Sequence, residues 1–376
     1  MRIIIKFVIK EFLQFRRDRK MLVTVLIAPV IQLVFLGYAA NLDLKEIHTV
    51  ILDYDKSETS RNLITAFENN GYFYIDYNVS TYEELTKLIT NNKALLGIVI
   101  PSEFEKKIGA KKTTGLQAIF DGSDGNKAGI AASYVAGVVS TFSQNILLNN
   151  FQAMGMKNAI SGSIQPEVRI WYNPDLTTRY YMLPSIAGLI ITLVTTLLTS
   201  LAIVKEREIG TLEQIIVTPI KPYQMIIGKF IPFLILGFVS ASIVLTVMRY
   251  WFQIPIKGSV FFLYFSSFLY MLSTLGLSLF ISTISRTQAQ AMITSGFGIM
   301  MPMIFLSGFA FPIENMPQSI QYVTYIIPLR YFIIILRGII LKGIGFNLLW
   351  KDALALLIFG IVIITLSSLR FKKKLE

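Results

Sequence analysis

Glu206, Arg207, Glu208, Thr211 and Glu213 crowd into KEREIGTLEQ, a charged run between two long apolar stretches. On a helix, Glu206, Gly210 and Glu213 share a face at i, i+4, i+7 spacing, with Arg207, Thr211 and Gln214 in the neighbouring stripe. Carboxylates arranged this way suit pairing with basic side chains of another protein. A plain solvated loop explains the composition equally well. Pro219 and Pro222 then end the helix and turn the chain back. Other chemistry has little to work with. There is no cysteine and one histidine, His48, which excludes thiolate metal sites and multi-histidine zinc motifs. Gly228-Lys229 lacks the upstream glycine and the following hydroxyl residue of a phosphate-binding loop, so any nucleotide must be bound by another chain.

The elements that position this run are membrane-spanning. Of the 376 residues, 53% are hydrophobic and 15% charged, with a mean hydropathy of +0.59. Apolar runs of about 20 residues recur, the length that crosses a bilayer core. The net charge of +12 sits at the borders of these runs, where topology and anionic lipid explain it better than nucleic acid does. The spacing predicts a cytoplasmic interfacial amphipathic helix over 1–20, with Ile3, Ile4, Phe7, Val8, Phe12 and Phe15 toward the membrane. A first span follows over 21–40, too long for the core of a signal peptide. Further spans are expected at Met182–Val204, Ile226–Met248, Ser259–Ile284, Ala289–Phe311 and Trp350–Leu369. This makes six transmembrane helices, with helices 2–6 in a domain over 179–376 and a cytoplasmic loop at 205–225. The segment 312–345 is predicted as a short-helix or re-entrant element on the outer side. Its Arg330 and Arg337 would each cost about 2.5–3.5 kcal/mol at the centre of a span. Apart from Lys351 and Asp352 at the rim of the last one, the spans are read as free of ionisable residues. That disfavours an ion-coupled carrier. Both termini are placed in the cytoplasm of a bacterial cell by the positive-inside rule.

Between the first two spans, 41–178 reads as an α/β extracytoplasmic domain. Short runs at Val50–Asp53, Phe73–Tyr77, Leu95–Ile100, Leu116–Phe120 and around Glu167–Tyr172 suggest strands. Helix starts are marked by Ser57, by the capping box Thr81-Tyr-Glu-Glu84 and by Ser102, and a longer helix is expected over Lys127–Met154.

KEREIGTLEQIIVTPIKPYQMIIGK resembles the signature loop of type-two ABC exporter permeases, membrane subunits with a large extracytoplasmic domain found in multidrug-type transporters. The resemblance continues through DYDKSETSRNLITAF, GIVIPSEFEKKI, AIFDGSDGNKAGIAASY, VRIWYNP, SRTQAQAM and LSGFAFPIENMPQSIQYVTYIIPLRYFIIILRG; Leu183–Ser185 departs from the family's pattern at the second span. It implies a non-enzymatic permease that pairs with a second copy or paralogue and is driven by cytosolic ABC ATPase subunits, which would bind the ATP and Mg. Glu206, Arg207, Glu208, Gly210, Thr211 and Glu213 would form the ATPase-coupling site. Membrane lipids and a periplasmic adaptor are further implied partners. A hydrophobic or amphipathic substrate such as a drug or lipid is expected, with Tyr38, Phe265, Phe268 and Phe305 as candidates for its path, although aromatics in spans more often face lipid or pack in the core. The alternative is a non-transporting receptor or mechanotransmitter that binds a partner through its outer domain. An intramembrane enzyme has no Ser/His or paired-carboxylate arrangement in the spans to support it.

Overall fold

The computed structural model describes residues 2–40, 46–153, 171–173, 177–210 and 222–370. The chain divides into two compact units, Leu42–Arg169 and Met1–Asn41 with Ile170–Glu376.

The smaller unit is built on a four-stranded sheet of β1 (Ile47–Asp53), β2 (Phe73–Val79), β3 (Leu96–Ile100) and β4 (Gln117–Phe120), in the order β2-β1-β3-β4. β1 runs parallel to both neighbours, and β3 pairs antiparallel with β4. β3 is buried throughout and reads LGIVI, as a strand covered on both faces does. Between the strands lie α4 (Glu58–Glu68), α5 (Tyr82–Thr90) and α6 (Phe104–Gly109), followed by the long α7 (Gly125–Ala153). Ser57 caps α4 by accepting the Ser60 N–H. Thr81 caps α5 by accepting the Glu84 N–H, and Glu84 accepts in return from the N–H of Ser80 rather than Thr81. The expected cap at Ser102 is not formed. Asp55 does that work from the loop after β1, accepting the N–H groups of Phe104 and Glu105 at 3.0 Å each. Of the strand expected around Glu167–Tyr172, residues up to 170 lie outside the described ones, and Trp171–Asn173 form no strand.

The larger unit is helical: α1 (Arg2–Arg17), α2 (Arg19–Leu26), α3 (Ala28–Ala39), α8 (Thr178–Glu208), α9 (Pro222–Tyr250), α10 (Val260–Ile284), α11 (Gln288–Ile293), α12 (Met301–Leu306), α13 (Gln318–Thr324), α14 (Pro328–Arg337) and α15 (Phe346–Arg370). Among the described residues, seven helices are long and apolar enough to cross a membrane. Six coincide with stretches read as spans; the seventh, Lys127–Leu148, lies in α7, which packs Ala131, Val135 and Val138 into the core of the sheet unit. The protein is a polytopic membrane protein. Its fifth apolar stretch is not one smooth helix: α11 and α12 are joined by a π-helical segment, Thr294–Met300, and the helix stops at Leu306, short of the expected Phe311. α13 and the helix from Pro328 to Lys342 meet at 82°.

α8 is the hub of the helical unit, with 82% of its apolar stretch buried. Its contact with α10 is lined by hydroxyls, among them Thr192, Thr195, Thr199, Ser267, Thr274 and Ser278, all buried. Most bond back to a carbonyl on their own helix, as Thr192 does to Gly188 and Ser278 to Thr274. Two links cross between the helices: Thr195 to Thr274 at 2.9 Å, and Thr192 with the Tyr270 hydroxyl. The Tyr270 ring stacks on Phe332 of α14 with centroids 4.1 Å apart.

Arg330 and Arg337 are accommodated by protein groups. Arg330 donates to Thr324 and lies over the Tyr325 ring. Arg337 lies 3.5 Å from the centroid of Tyr181 and donates to the carbonyls of Tyr181 and Gly308. An arginine with an aromatic face and carbonyl acceptors is far less costly in an apolar setting than a bare one.

Candidate functional site

The charged run begins inside α8, and its first four residues reach four different places. Successive side chains on a helix point about 100° apart, so KERE sweeps a full turn around the axis. Lys205 Nζ lies 3.6 Å from Asp18 Oδ2, between α1 and α2. Glu206 takes Lys10 Nζ of α1 at 2.6 Å on one oxygen and Lys229 Nζ of α9 at 2.7 Å on the other. Arg207 donates to the carbonyl of Ser285, after α10, at 2.9 Å. Glu208 accepts from Gln288 Nε2 of α11 at 2.6 Å. The end of α8 is thus keyed to α1, α9, α11 and the turn after α10.

Glu206 is at the centre of a buried ionic cluster. Lys229 also approaches Glu11 Oε1 of α1, at 3.4 Å. The side chains of Lys229, Glu11 and Glu206 are only 3%, 6% and 9% exposed, and that of Lys10 is 38%. Two ammonium groups face two carboxylates, so the cluster is neutral as a whole; that is the condition under which charges tolerate burial. α1 reaches α9 closely enough because residue 228 is glycine: a Cβ there would stand 2.7 Å from the Cβ of Phe7. Phe7 and Glu11, one turn apart, form the buried face of α1. Ile5, Ile9 and Leu13 form a second apolar stripe that is about half exposed. The helix therefore has two apolar sides: one against protein, the other free to lie in a membrane interface.

The expectation of uncharged spans is corrected here. Lys229 is not the edge of the loop; it lies two turns inside α9 and is fully buried. The single helical face through Glu206, Gly210 and Glu213 is corrected as well, since the α-helix stops at Glu208. Gly210 takes φ +79°, the left-handed conformation that ends helices, and among the described residues nothing crowds it. Its role at this point is to turn the chain. Thr211 and Glu213 lie outside the described residues. Glu11 and Lys229 escape sequence reading, although each carried a signal. Glu11 is the only acid in an otherwise basic helix and stands on its apolar face, and Lys229 stands inside an apolar run.

The four aromatics suggested for a substrate path do not form one group. Tyr38 packs against Phe252 and under Arg179, Phe268 stacks on Phe238, and Phe305 stacks on Phe311. Phe265 is 42% exposed.

Residues 19–369 match the family described as ABC-2 family transporter protein. The chain belongs to this family. Among curated ABC-2 relatives, Probable multidrug ABC transporter permease YbhR of Escherichia coli strain K12 is 35% identical over 93% of each chain. Probable multidrug ABC transporter permease YbhS of the same strain is 32% identical over 98% of this chain and 96% of its own. ABC transporter G family member 20 of Dictyostelium discoideum is 23% identical over 97% of this chain but only 50% of its own length. The ABC-2 match starts at residue 19 and so leaves out α1, the helix that supplies Lys10 and Glu11 to the cluster.

Proposed function

We propose that the protein is the permease subunit of an ATP-driven exporter, moving a hydrophobic or amphipathic molecule out of the cytoplasm or the inner leaflet. Six helices cross the membrane: the one ending at Ala39, α8, α9, α10, the α11–α12 pair and α15. The α/β unit lies on the outer side, both termini lie in the cytoplasm, and the bent α13–α14 segment dips in from outside. Cytosolic ATPase subunits bind ATP and Mg and dock on the loop after Gly210, and a second permease copy or paralogue completes the pathway. An adaptor on the outer side is a further partner.

The observation that carries this reading is the ionic cluster. A push on the loop after α8 arrives at a helix end that is tied by Glu206 to both α1 and α9. Buried ion pairs resist shear and transmit displacement, so α1, α8 and α9 would move together. The family match supports an ATPase partner, and the names of the E. coli relatives support a multidrug-type substrate.

The test is purification from the native host in lipid nanodiscs, identification of co-purifying ATPases, and efflux assays on Glu206→Ala with Glu213→Ala. An ATPase should co-purify, and the double substitution should abolish efflux while the protein still inserts and melts cooperatively. Absence of any ATPase together with unchanged efflux would sink the proposal.

A further inference from the structure

A cavity of about 740 Å³ lies between α1, α2, α8 and α9, within the roughly 300–1,000 Å³ range of small-molecule sites. Its lining has two characters. Phe15, Met21, Phe233 and Leu236 are apolar and belong to the main core of the helical unit or pack against it. Arg17, Arg19 and Lys205 are basic, and the carboxylates in the lining are Glu11, Asp18 and Glu206.

The pairing of these charges decides what fits. Glu11 and Glu206 are matched by Lys10 and Lys229 in the buried cluster. Asp18 accepts the Met21 N–H at 3.2 Å on one oxygen and faces Lys205 Nζ at 3.6 Å with the other. Arg17 and Arg19 are both exposed, and among the described residues neither forms an ion pair. Two guanidinium groups are therefore left over once the carboxylates are paired.

The joint between α1 and α2 puts both of them on one cavity. On an unbroken helix, residues two apart point about 200° from each other and share no face. Here α1 stops at Arg17 and α2 starts at Arg19, and Asp18 between them turns its side chain to cap α2. Two planar guanidinium groups on one space suit the oxygens of a phosphate, which each can grip with two parallel bonds. The apolar lining beside them suits acyl chains. This end of α8, where the apolar run gives way to KERE, is also the level of the lipid headgroups.

We propose that this cavity holds the head and upper chains of one anionic diacyl phospholipid, with its phosphate on Arg17 and Arg19 and its chains along Phe15, Met21, Phe233 and Leu236. The placement rests on the membrane crossing proposed for α8 and not on transport or on an ATPase.

The test uses the full chain in neutral maltoside detergent, where no charged bilayer surface attracts it. Delipidated protein is titrated with phosphatidylglycerol or phosphatidylcholine, bound lipid is counted by native mass spectrometry, and hydrogen exchange is followed in peptides covering 11–24. One phosphatidylglycerol should bind per chain and protect these peptides saturably, while phosphatidylcholine should need at least about tenfold more. Arg17→Gln and Arg19→Gln should each weaken phosphatidylglycerol by about tenfold, the weight of one charge-assisted contact. Arg16→Gln removes the same charge from an exposed neighbour that does not line the cavity, and should change binding less than about twofold. Gln14→Trp, at an exposed lining position, should block the cavity without lowering the melting temperature. Glycerol phosphate alone should give no protection, because it lacks the chains. Equal binding of phosphatidylcholine, a loss with Arg16→Gln as large as with Arg17→Gln, protection by glycerol phosphate, or no bound lipid would each overturn the proposal. The lipid count needs neither efflux nor a co-purified ATPase, so its failure and failure of the transport reading are separate observations.

Discussion

Replacing Lys229 with Met tests the ionic cluster directly. At an effective dielectric of about 20, a pair at 2.7 Å attracts by about 6 kcal/mol and one at 3.4 Å by about 5 kcal/mol. Most of this is offset by desolvation of the three groups. The relevant figure is the cost of leaving partners behind. Without Lys229, Glu11 and Glu206 remain buried with Lys10 as the only cation of the cluster, and removing one member of a buried pair typically costs about 3–5 kcal/mol. That cost falls on the contact between α1 and α9, so local opening of α1 should increase by roughly 10²- to 10⁴-fold. Hydrogen exchange of peptides covering 4–17 measures it, with 346–370 in α15 as the internal control. Lys229→Met combined with Glu11→Met and Glu206→Met removes the buried charges and should recover most of the protection, because an apolar replacement of a buried ionic cluster is often neutral. If the single variant leaves α1 exchange unchanged, or the triple variant is worse than the single, the cluster does not hold the helix.

Three further outcomes follow from the geometry. Gly228→Ala should displace α1 at a cost of about 1–3 kcal/mol, and Phe7→Gly in the same chain, which removes the Cβ that the new methyl meets, should let α1 return to its place, both measured by the same exchange assay. Arg337→Met should lower the melting temperature in nanodiscs by the equivalent of about 2 kcal/mol through loss of the Tyr181 face and its carbonyl partners; adding Tyr181→Leu should cost much less than it does in the wild type. The Ser57 hydroxyl, ahead of the N–H groups of Glu105, Phe104 and Glu103, holds the Asp55 carboxyl below the usual range despite some desolvation. A depressed folded-state value contributes stability above the unfolded value of about 3.9 and loses it as pH falls through the folded one. Asp55→Asn should therefore make the α/β unit more protease-sensitive at pH 7 and flatten its loss of resistance below pH 4.

Much of the frame was legible in the residues. Long apolar runs mark their own helices, and Ser57 and Thr81 cap the helices they precede because a cap is a local bond. Where the partner is distant in sequence, local reading fails. Ser102 has the right type and place for a cap, but Asp55 is brought in by β1 and outcompetes it. Lys229 looks like a loop border because a lysine beside an apolar run usually is one; its partners, Glu11 and Glu206, come from two other helices. The arginines of α14 could be read, since their cost in a bare span demanded protein contacts, and Tyr181 and Tyr325 supply them.

The hydroxyl seam between α8 and α10 has a mechanical meaning. Hydroxyls that are satisfied on their own helix ask nothing of their neighbour, so the two surfaces meet with small side chains, mostly self-satisfied donors and two cross-links, Thr199 being the member of the seam with no hydrogen-bond partner among the described residues. Friction along such a seam is low, because a small slip breaks few bonds between the two helices. The far end of the same helix is clamped by KERE at four points. α8 is thus a lever with a gripped handle and a smooth shaft, shaped to carry movement through the membrane rather than absorb it.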